Sequence, residues 1–344
     1  MRVLSTAMRA MPDFKDITAL IDMGKPSGVT GLAPVHRALI SAALHVETER
    51  PVFVICADEA EAGRFASDIA SLTGEEPLLL SGRDFVFRQT EAASREWQQK
   101  RLAVLYRMAR KSAPIVVATP DAVLQRTLPP QKLLSASFTL NLGDDYDLTQ
   151  LTSRLTAAGY SRCDQVEGQG QFSLRGGILD FFSPSSDYPV RAEFFGDTLD
   201  SMGIFDPATQ RRIENIKTAG MLPAAEVLPG MHDGSFLGLS RELSAFASRV
   251  EKRKTANPKL VQTLRQDAER IGQNLNFPAA DRYAALIYPE FSTALDYISD
   301  DSIVIICEHS STAERASSWL WQLGEDIESL LVSGELAGEF SDLA

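Results

Sequence analysis

The first 130 residues alternate between continuous apolar runs and amphipathic stretches. Apolar runs without polar interruption predict buried strands. They lie at 51–57, 77–80 and 115–118. Apolar residues spaced three and four apart predict helices at 58–73 and 94–109, the first with Asp58 as its N-cap and Gly74 as its stop. Buried strands that alternate with helices are typical of a parallel sheet covered on both faces.

The pattern changes after residue 130 and returns near the end of the chain. Residues 131–212 show short alternating strands and one helix at 148–158. An uninterrupted apolar strand then recurs at 302–306, followed by a helical pattern at 311–323. The simplest architecture is one α/β domain in two sequence halves, interrupted by a small α+β insert.

This interpretation divides the chain into five ranges. They are an N-terminal arm (1–14), the first half of the α/β domain (15–130), the insert (131–212), the second half (213–335) and a tail (336–344). The acidic stretch at 325–342 shows little periodicity, so we expect a tail that leads to further domains of a longer protein.

A β-hairpin is predicted within the insert, at 171–182, with Gly176-Gly177 as its turn. Its alternation places Gln171, Ser173 and Arg175 on one face, and Phe172 and Leu174 on the other. Arg162 lies just upstream. Two arginines near one exposed sheet face suit the docking of carboxylates from a partner. The alternative is that each arginine forms a solvated ion pair of little worth, and spacing alone leaves both interpretations open.

Composition indicates a soluble globular protein with a sizeable core. The 344 residues are 44% hydrophobic and 23% charged, with a net charge of −12. So negative a chain repels phosphate backbones, which disfavours non-specific DNA binding. There is neither an apolar run of about 18 residues nor a long apolar signal segment, so we expect a cytoplasmic protein without a membrane span.

Residue types that hold metals are scattered along the chain. Cys56, Cys163 and Cys307 have no metal-type spacing, and the four histidines are far apart. We therefore expect reduced, mostly buried thiols and no metal or other cofactor.

A glycine-containing stretch before the first long helix occupies the place of a phosphate-binding loop. A working loop reads G-x-x-x-x-G-K-[ST] and uses backbone amides, a lysine and a hydroxyl to hold phosphates and Mg²⁺. Here Gly28 and Gly31 are followed by Ala33, Pro34 and Val35, which replace the second glycine, the lysine and the hydroxyl residue. Losing the lysine alone removes a charge-assisted contact worth about 1.5–3 kcal/mol. ATP hydrolysis at this loop is not expected.

The acidic box that holds Mg²⁺ in such enzymes should end a later strand as Asp-Glu. After the strand at 302–306 the chain instead has Cys307, Glu308 and His309. Cysteine in place of the aspartate does not suit Mg²⁺. Nucleophilic catalysis by these residues is also disfavoured, because neighbours on a strand point to opposite faces. No catalytic residue is predicted.

The insert resembles the partner-binding domain shared by the excision-nuclease subunit UvrB and the transcription-repair coupling factors. The matching residues are Gly159-Tyr160, Arg162, Asp164, Gly170, Phe172, Arg175-Gly176, 180–182, 191–197 and 205–211. Outside the insert, the motifs at 83–85, 91–96, 281–283 and 286–289 favour the coupling factors over UvrB itself. The resemblance covers about residues 15 to 335.

The resemblance implies a degenerate helicase-like (RecA-like) parallel-sheet domain with an inserted domain that binds UvrA, the damage-sensing ATPase of nucleotide excision repair. Arg162 and Arg175 match interface arginines of that family, whereas Ser173 replaces a further arginine. Together with the Phe181-Phe182 strand, these residues form the predicted partner-binding site. The resemblance further implies that RNA polymerase and DNA are bound, and ATP-driven translocation performed, by downstream domains.

Two functions other than UvrA binding are compatible with this fold class. The chain could retain nucleotide binding as a helicase-like module, which the Pro34-Val35 loop disfavours, or bind DNA itself, which the net charge disfavours.

Overall fold

The computed structural model describes residues 7–87, 96–254, 256–274 and 278–344, which form two compact units. The first consists of residues up to Gly82, Arg107–Gln125 and Ala294–Gln322. The second consists of Arg83–Tyr106, Arg126–Thr293 and Leu323–Ala344. The second unit thus includes the predicted insert together with much of the sequence that follows it.

The strands and helices are numbered in chain order. The strands are β1 (Val52–Ile55), β2 (Leu78–Leu80), β3 (Ile115–Ala118), β4 (Phe138–Asn141), β5 (Ser161–Arg162), β6 (Gln171–Arg175), β7 (Ile178–Phe181), β8 (Val190–Phe195), β9 (Thr198–Phe205), β10 (Arg212–Asn215), β11 (Thr218–Met221) and β12 (Ile303–Ile306). The α-helices are α1 (Pro12–Asp22), α2 (Pro34–Thr48), α3 (Glu59–Thr73), α4 (Glu96–Ala109), α5 (Pro120–Leu124), α6 (Pro130–Ala136), α7 (Leu148–Ala157), α8 (Ser235–Glu251), α9 (Pro258–Gly272), α10 (Ala284–Ile287) and α11 (His309–Ser333). Short 3₁₀ helices lie at Pro229–Met231, Pro278–Tyr283, Ala294–Tyr297 and Gly338–Phe340.

The first unit contains the predicted parallel sheet, with strand order β12-β1-β3-β2. Strand β12 pairs with β1 in the register Val52↔Ile303, so a strand from late in the chain completes a sheet begun early. The predicted α/β class and its assembly from two halves of the sequence are confirmed. The sheet core contains Val52 and Val54, packed with helix residues such as Phe65 and Ile69.

Helix α3 begins and ends at the residues that the sequence predicts, Asp58 and Gly74. The Asp58 carboxylate accepts a hydrogen bond from the Glu61 amide at 2.8 Å, which satisfies one of the free donors at the helix N-terminus. Gly74 ends the helix with a φ of 80°, in the left-handed region that glycine adopts without strain. The predicted start of α4 at Ser94 and the motif at 91–95 lie outside the described residues.

Helix α11 is longer than predicted, because it ends at Ser333 and not near residue 323. Leu323, Ile327 and Leu330 are spaced four and three apart, and Leu323 and Leu330 are buried. This apolar stripe continues the helix despite Gly324, whose cost in a helix is only about 1 kcal/mol. The prediction of an aperiodic stretch from 325 is therefore wrong up to Ser333.

The second unit contains a six-stranded sheet with the order β10-β9-β8-β7-β6-β5 and a separate two-stranded ribbon of β4 and β11. Apart from the short parallel β5–β6 pair, the six strands are antiparallel. One face of this sheet packs on Leu151 and Leu155 of α7 in a core that includes Phe172, Leu179 and Phe181. The other face carries the candidate site.

A buried group of charges lies elsewhere in the second unit. The Glu226 carboxylate lies 3.3 Å from Arg83 Nε and 3.0 Å from Arg101 Nε, and it accepts a hydrogen bond from the Thr127 hydroxyl at 2.6 Å. Arg83 also donates to Asp281 at 2.8 Å. Because buried charges require partners, this network fixes segments of the unit that are far apart in sequence.

Replacing Glu226 by alanine should lower the free energy of unfolding by about 3–5 kcal/mol, because two buried guanidinium groups lose their shared carboxylate. Urea-induced unfolding followed by circular dichroism measures this loss. The matched control is Glu251→Ala, which removes a pair with Arg265 whose side chains are each about half exposed and should cost less than about 1 kcal/mol. Equal losses in the two variants would contradict the prediction.

Candidate partner-binding site

The site is built on the polar face of the predicted hairpin, which β6 and β7 form in antiparallel register. Ser173 pairs with Asp180, and Arg175 pairs with Ile178. On the next strand, Asp180 pairs with Arg191. Because paired residues share a face of the sheet, these side chains lie on the side opposite to the Phe172 and Leu179 core.

Asp180 is the buried centre of this face, and its carboxylate is bound by two arginines. Arg191 donates from Nε to Oδ1 at 2.7 Å and from Nη2 to Oδ2 at 2.8 Å, a bidentate arrangement. Arg175 donates from Nη2 to Oδ2 at 2.8 Å. The hydrogen bonds to Asp180 raise the pKa of Arg191 above its usual value. The sequence places Asp180 and Arg191 among the residues that match the family, but the predicted site did not include them, although alternation puts both on this face.

Arg191 and Arg175 differ in how far they are committed to the fold. The Arg191 guanidinium lies over the Phe205 ring at 4.6 Å and reaches Gln210, so its side chain is largely enclosed. The Arg175 side chain is 53% exposed and contacts Asp180 through one nitrogen only. Arg175 therefore keeps free donor capacity toward solvent.

One end of the polar face is covered by protein, contrary to the expected exposure of Ser173. The Ser173 hydroxyl donates to the Asp164 carbonyl at 3.0 Å, and the residue is 2% exposed. Val166, from the segment between β5 and β6, packs with Phe182 and Phe205 in a small core on this face. Local alternation carries no information about such a distant cover, so the prediction of a solvent-exposed Ser173 is wrong.

Phe181 and Phe182 are buried as well. Phe181 belongs to the main core between the sheet and α7, whereas Phe182 belongs to the small core with Val166. Neither ring is presented at the surface. In this structure both support the strand, and direct contact of these rings with a partner would require them to leave their cores.

Arg162 is exposed, as predicted, but it does not share a face with Arg175. It lies on edge strand β5 and pairs with Phe172, whose side chain belongs to the main core. The register therefore points Arg162 and Arg175 to opposite sides of the sheet. Arg162 lies at the rim, and Arg175 lies on the open part of the polar face.

The degenerate phosphate loop joins helices α1 and α2, whereas a phosphate-binding loop normally follows a strand. Gly28, Ala33 and Pro34 are exposed, and Gly31 has a φ of 79°. The N-cap residue Ala33 offers no side-chain hydrogen bond, and Val35 is exposed. The loop has the expected position before a helix, with neither a lysine nor a hydroxyl residue at the positions that would hold phosphate and Mg²⁺.

Nucleotides bind at the carboxyl ends of the strands in parallel sheets, and near these ends of β1 and β12 the protein has charged side chains of its own. Arg37 of α2 donates to Glu61 at 2.9 Å and lies 2.6 Å from the Glu308 carboxylate. Glu308 has a φ of 43°, an unusual conformation for a residue other than glycine. An arginine of the protein thus lies among the carboxylates at this end of the sheet.

Cys307 and Glu308 do not converge, as the sequence predicts. Cys307 is buried in the sheet core beside Cys56, whereas the Glu308 side chain is exposed and faces Arg37. The hydrogen bond between the two thiols raises the pKa of Cys56 and lowers the pKa of Cys307. In the described part of the chain, no cluster of three or more His, Cys, Asp or Glu side chains is arranged to hold a metal ion. No described helix is long and apolar enough to cross a membrane.

The part of the chain that contains the six-stranded sheet matches a known family. Residues 138–226 match the UvrB interaction domain. The same range contains β4 to β11, and therefore Arg162, Arg175, Asp180 and Arg191.

The whole chain also matches longer curated proteins. It is 30% identical to the transcription-repair-coupling factor of Bacillus subtilis (strain 168) over 338 residues, 97% of this chain and 28% of that relative. It is 28% identical to the transcription-repair-coupling factor of Myxococcus xanthus over 320 residues, 90% of this chain and 26% of the relative. For that of Mycobacterium tuberculosis (strain CDC 1551 / Oshkosh) the identity is 27% over 305 residues, 86% of this chain and 24% of the relative.

The chain is homologous to the transcription-repair-coupling factors. The resemblance found in the sequence is thereby confirmed. The chain spans about a quarter of the length of the curated transcription-repair-coupling factors that it matches. Within that quarter, the UvrB interaction domain places Arg175 on an open sheet face and Arg191 within it.

The two arginines of this domain should respond differently to truncation. Arg191→Ala removes two of the three arginine hydrogen bonds to a buried carboxylate and should cost about 3 kcal/mol of stability. Arg175→Ala leaves the bidentate pair intact and should cost less than about 1 kcal/mol. Thermal and urea unfolding of both variants measures the difference. A larger loss for Arg175→Ala would mean that this arginine is the structural one.

Proposed function

We propose that this chain acts in transcription-coupled DNA repair by binding UvrA, so that nucleotide excision repair is recruited to lesions where RNA polymerase has stalled. The observation that carries the proposal is the half-exposed guanidinium of Arg175, fixed by Asp180 on an open face of a domain that matches the UvrB interaction domain. The names of the full-length relatives support the pathway.

The proposed mechanism is mimicry of UvrB by the six-stranded sheet. Asp180 holds Arg175 in one orientation before the partner arrives, which reduces the entropy lost on binding. A carboxylate of UvrA then pairs with the outward donors of Arg175, and Arg162 adds a second positive charge at the rim of the sheet. Arginine pairs with these properties are frequent hot spots in interfaces and steer association electrostatically.

We further propose that this chain performs no catalysis. The loop at 28–35 lacks the lysine and the hydroxyl residue that hold phosphate and Mg²⁺, and Arg37 pairs with Glu308 near the carboxyl end of the sheet. RNA polymerase binding, DNA binding and ATP-driven translocation are assigned to regions of the longer relatives outside the matched quarter.

Changing Arg175 to glutamate should lower the affinity for UvrA by at least about 100-fold, because the variant puts like charges against the proposed carboxylate. Calorimetric titration of UvrA with the purified chain measures this, with Arg162→Glu alongside. The control is Arg64→Glu, a matched charge reversal on the exposed surface of α3, which should bind as the unchanged chain does. A well-folded unchanged chain that does not bind UvrA would overturn the proposal. A lost melting transition in Arg175→Glu would instead make the arginine structural.

Saturating MgATP should leave the melting temperature unchanged. A ligand present at 100 times its dissociation constant stabilises a folded protein by about 2.7 kcal/mol, so binding would be plainly visible. A rise that depends on ATP concentration would contradict the prediction and favour a residual helicase-like nucleotide site. Salt-sensitive binding of duplex DNA would favour the DNA-binding alternative.

A further inference from the structure

The hairpin of β8 and β9 carries an aromatic ring in solvent. Phe195 is 84% exposed, the most exposed large apolar side chain of the described residues. Its neighbour Phe194 packs into the main core, against Tyr146 in an edge-to-face contact. Both residues are phenylalanines, yet only Phe194 packs in the core of the fold.

Alternation along β8 assigns Phe195 to the polar face. Val190, Ala192 and Phe194 belong to the main core, so Arg191, Glu193 and Phe195 point to the opposite side. This is the side that carries Arg175 and Ile178. Ile178 pairs with Glu193, two residues from Phe195 on the same strand, and is itself partly exposed. Diagonal neighbours of this kind lie about 7–8 Å apart, within reach of an aromatic side chain.

Glycines form the turn that lies beside the end of β8. The Phe194 amide donates to the Gly177 carbonyl at 2.8 Å, which places the β6–β7 turn beside the end of β8. A Cβ added at Gly177 would lie 2.8 Å from the Phe194 carbonyl, so the close approach requires glycine. Gly176 has a φ of 62°, in the left-handed region that favours glycine.

The ion pairs beside Ile178 leave one guanidinium in excess, whereas the Asp145 carboxylate lies at the Phe195 end, where it accepts from the Thr198 hydroxyl at 2.6 Å. Asp180 is shared by Arg175 and Arg191, which leaves one net positive charge (two arginines minus one carboxylate). Glu193 is neutralised by Arg212 at 2.8 Å. The open end of the face therefore offers an aromatic ring, an aliphatic side chain and a guanidinium group side by side.

We propose that Phe195 and Ile178 form an apolar anchor that inserts into a pocket of the partner, and that carboxylates of the partner border this pocket and bind Arg175. The inference rests on the proposed function, since it describes the part of UvrA that would contact the sheet. Aromatic residues surrounded by polar contacts are typical centres of interfaces, because their burial excludes water from the neighbouring ion pairs.

The test compares Phe195→Ser and Ile178→Thr with the unchanged chain in calorimetric titrations of UvrA at low and high salt. We expect Phe195→Ser to weaken binding by at least about 30-fold, the threshold of a hot spot. The loss should be similar at both salt concentrations, because an apolar contact is not screened. Arg175→Ala should instead weaken binding mainly at low salt. Ile213→Ser is the matched control, since Ile213 is an exposed apolar residue on edge strand β10 of the same sheet.

The outcomes distinguish failure of the anchor from failure of the proposed function. If the unchanged chain binds UvrA and Phe195→Ser binds equally well, the anchor is wrong and the recruitment function stands. If the unchanged chain does not bind UvrA, both proposals are wrong. If Phe195→Ser binds UvrA normally but abolishes self-association in analytical ultracentrifugation, the ring contacts a second copy of the chain, which also overturns the anchor. Unchanged melting temperatures in all variants exclude misfolding as the cause of a loss.

Discussion

The candidate site depends on one buried carboxylate, Asp180. A buried carboxylate is stable only when its oxygens are paired, and Arg191 satisfies both of them through a bidentate contact. Arg175 adds a third hydrogen bond that the fold does not need for charge neutrality. The same carboxylate therefore stabilises the sheet through one arginine and orients the other toward solvent. Because Arg191 already satisfies both carboxylate oxygens, Asp180 can orient Arg175 at the surface although Arg175 is not needed to neutralise it.

Arg37 of the first unit and Arg175 of the second differ in how far their charge is paired within the protein. In the first unit, Arg37 is directed to the carboxyl end of the parallel sheet, where it pairs with Glu61 and Glu308. These ion pairs lie within the unit, near the end of the sheet where open parallel α/β sheets bind nucleotides. In the second unit, Arg175 keeps free donors on an open face.

Much of the fold could be predicted from local patterns, and the exceptions have physical causes. The strands of the parallel sheet and the cap at Asp58 follow from apolar runs and short-range hydrogen bonds. The burial of Ser173 could not be predicted, since it depends on a loop that folds over the sheet. Strand alternation alone also hides the separation of Arg162 from Arg175, because the parallel pairing of β5 with β6 sets their faces. Phe195 was overlooked for a similar reason, since exposure of an aromatic residue contradicts its usual preference.

The pairing of β1 with β12 has a consequence for synthesis on the ribosome. Val52 meets its partner Ile303 only after the intervening chain has emerged, which takes roughly 10–50 s at synthesis rates of about 5–20 residues per second. The strands of the six-stranded sheet, in contrast, are contiguous from Ser161 to Asn215 and can pair as soon as they leave the exit tunnel. The six-stranded sheet is thus complete while one edge of β1 still lacks a neighbour. Nascent chains of this protein therefore carry a complete six-stranded sheet before the parallel sheet of the first unit has closed.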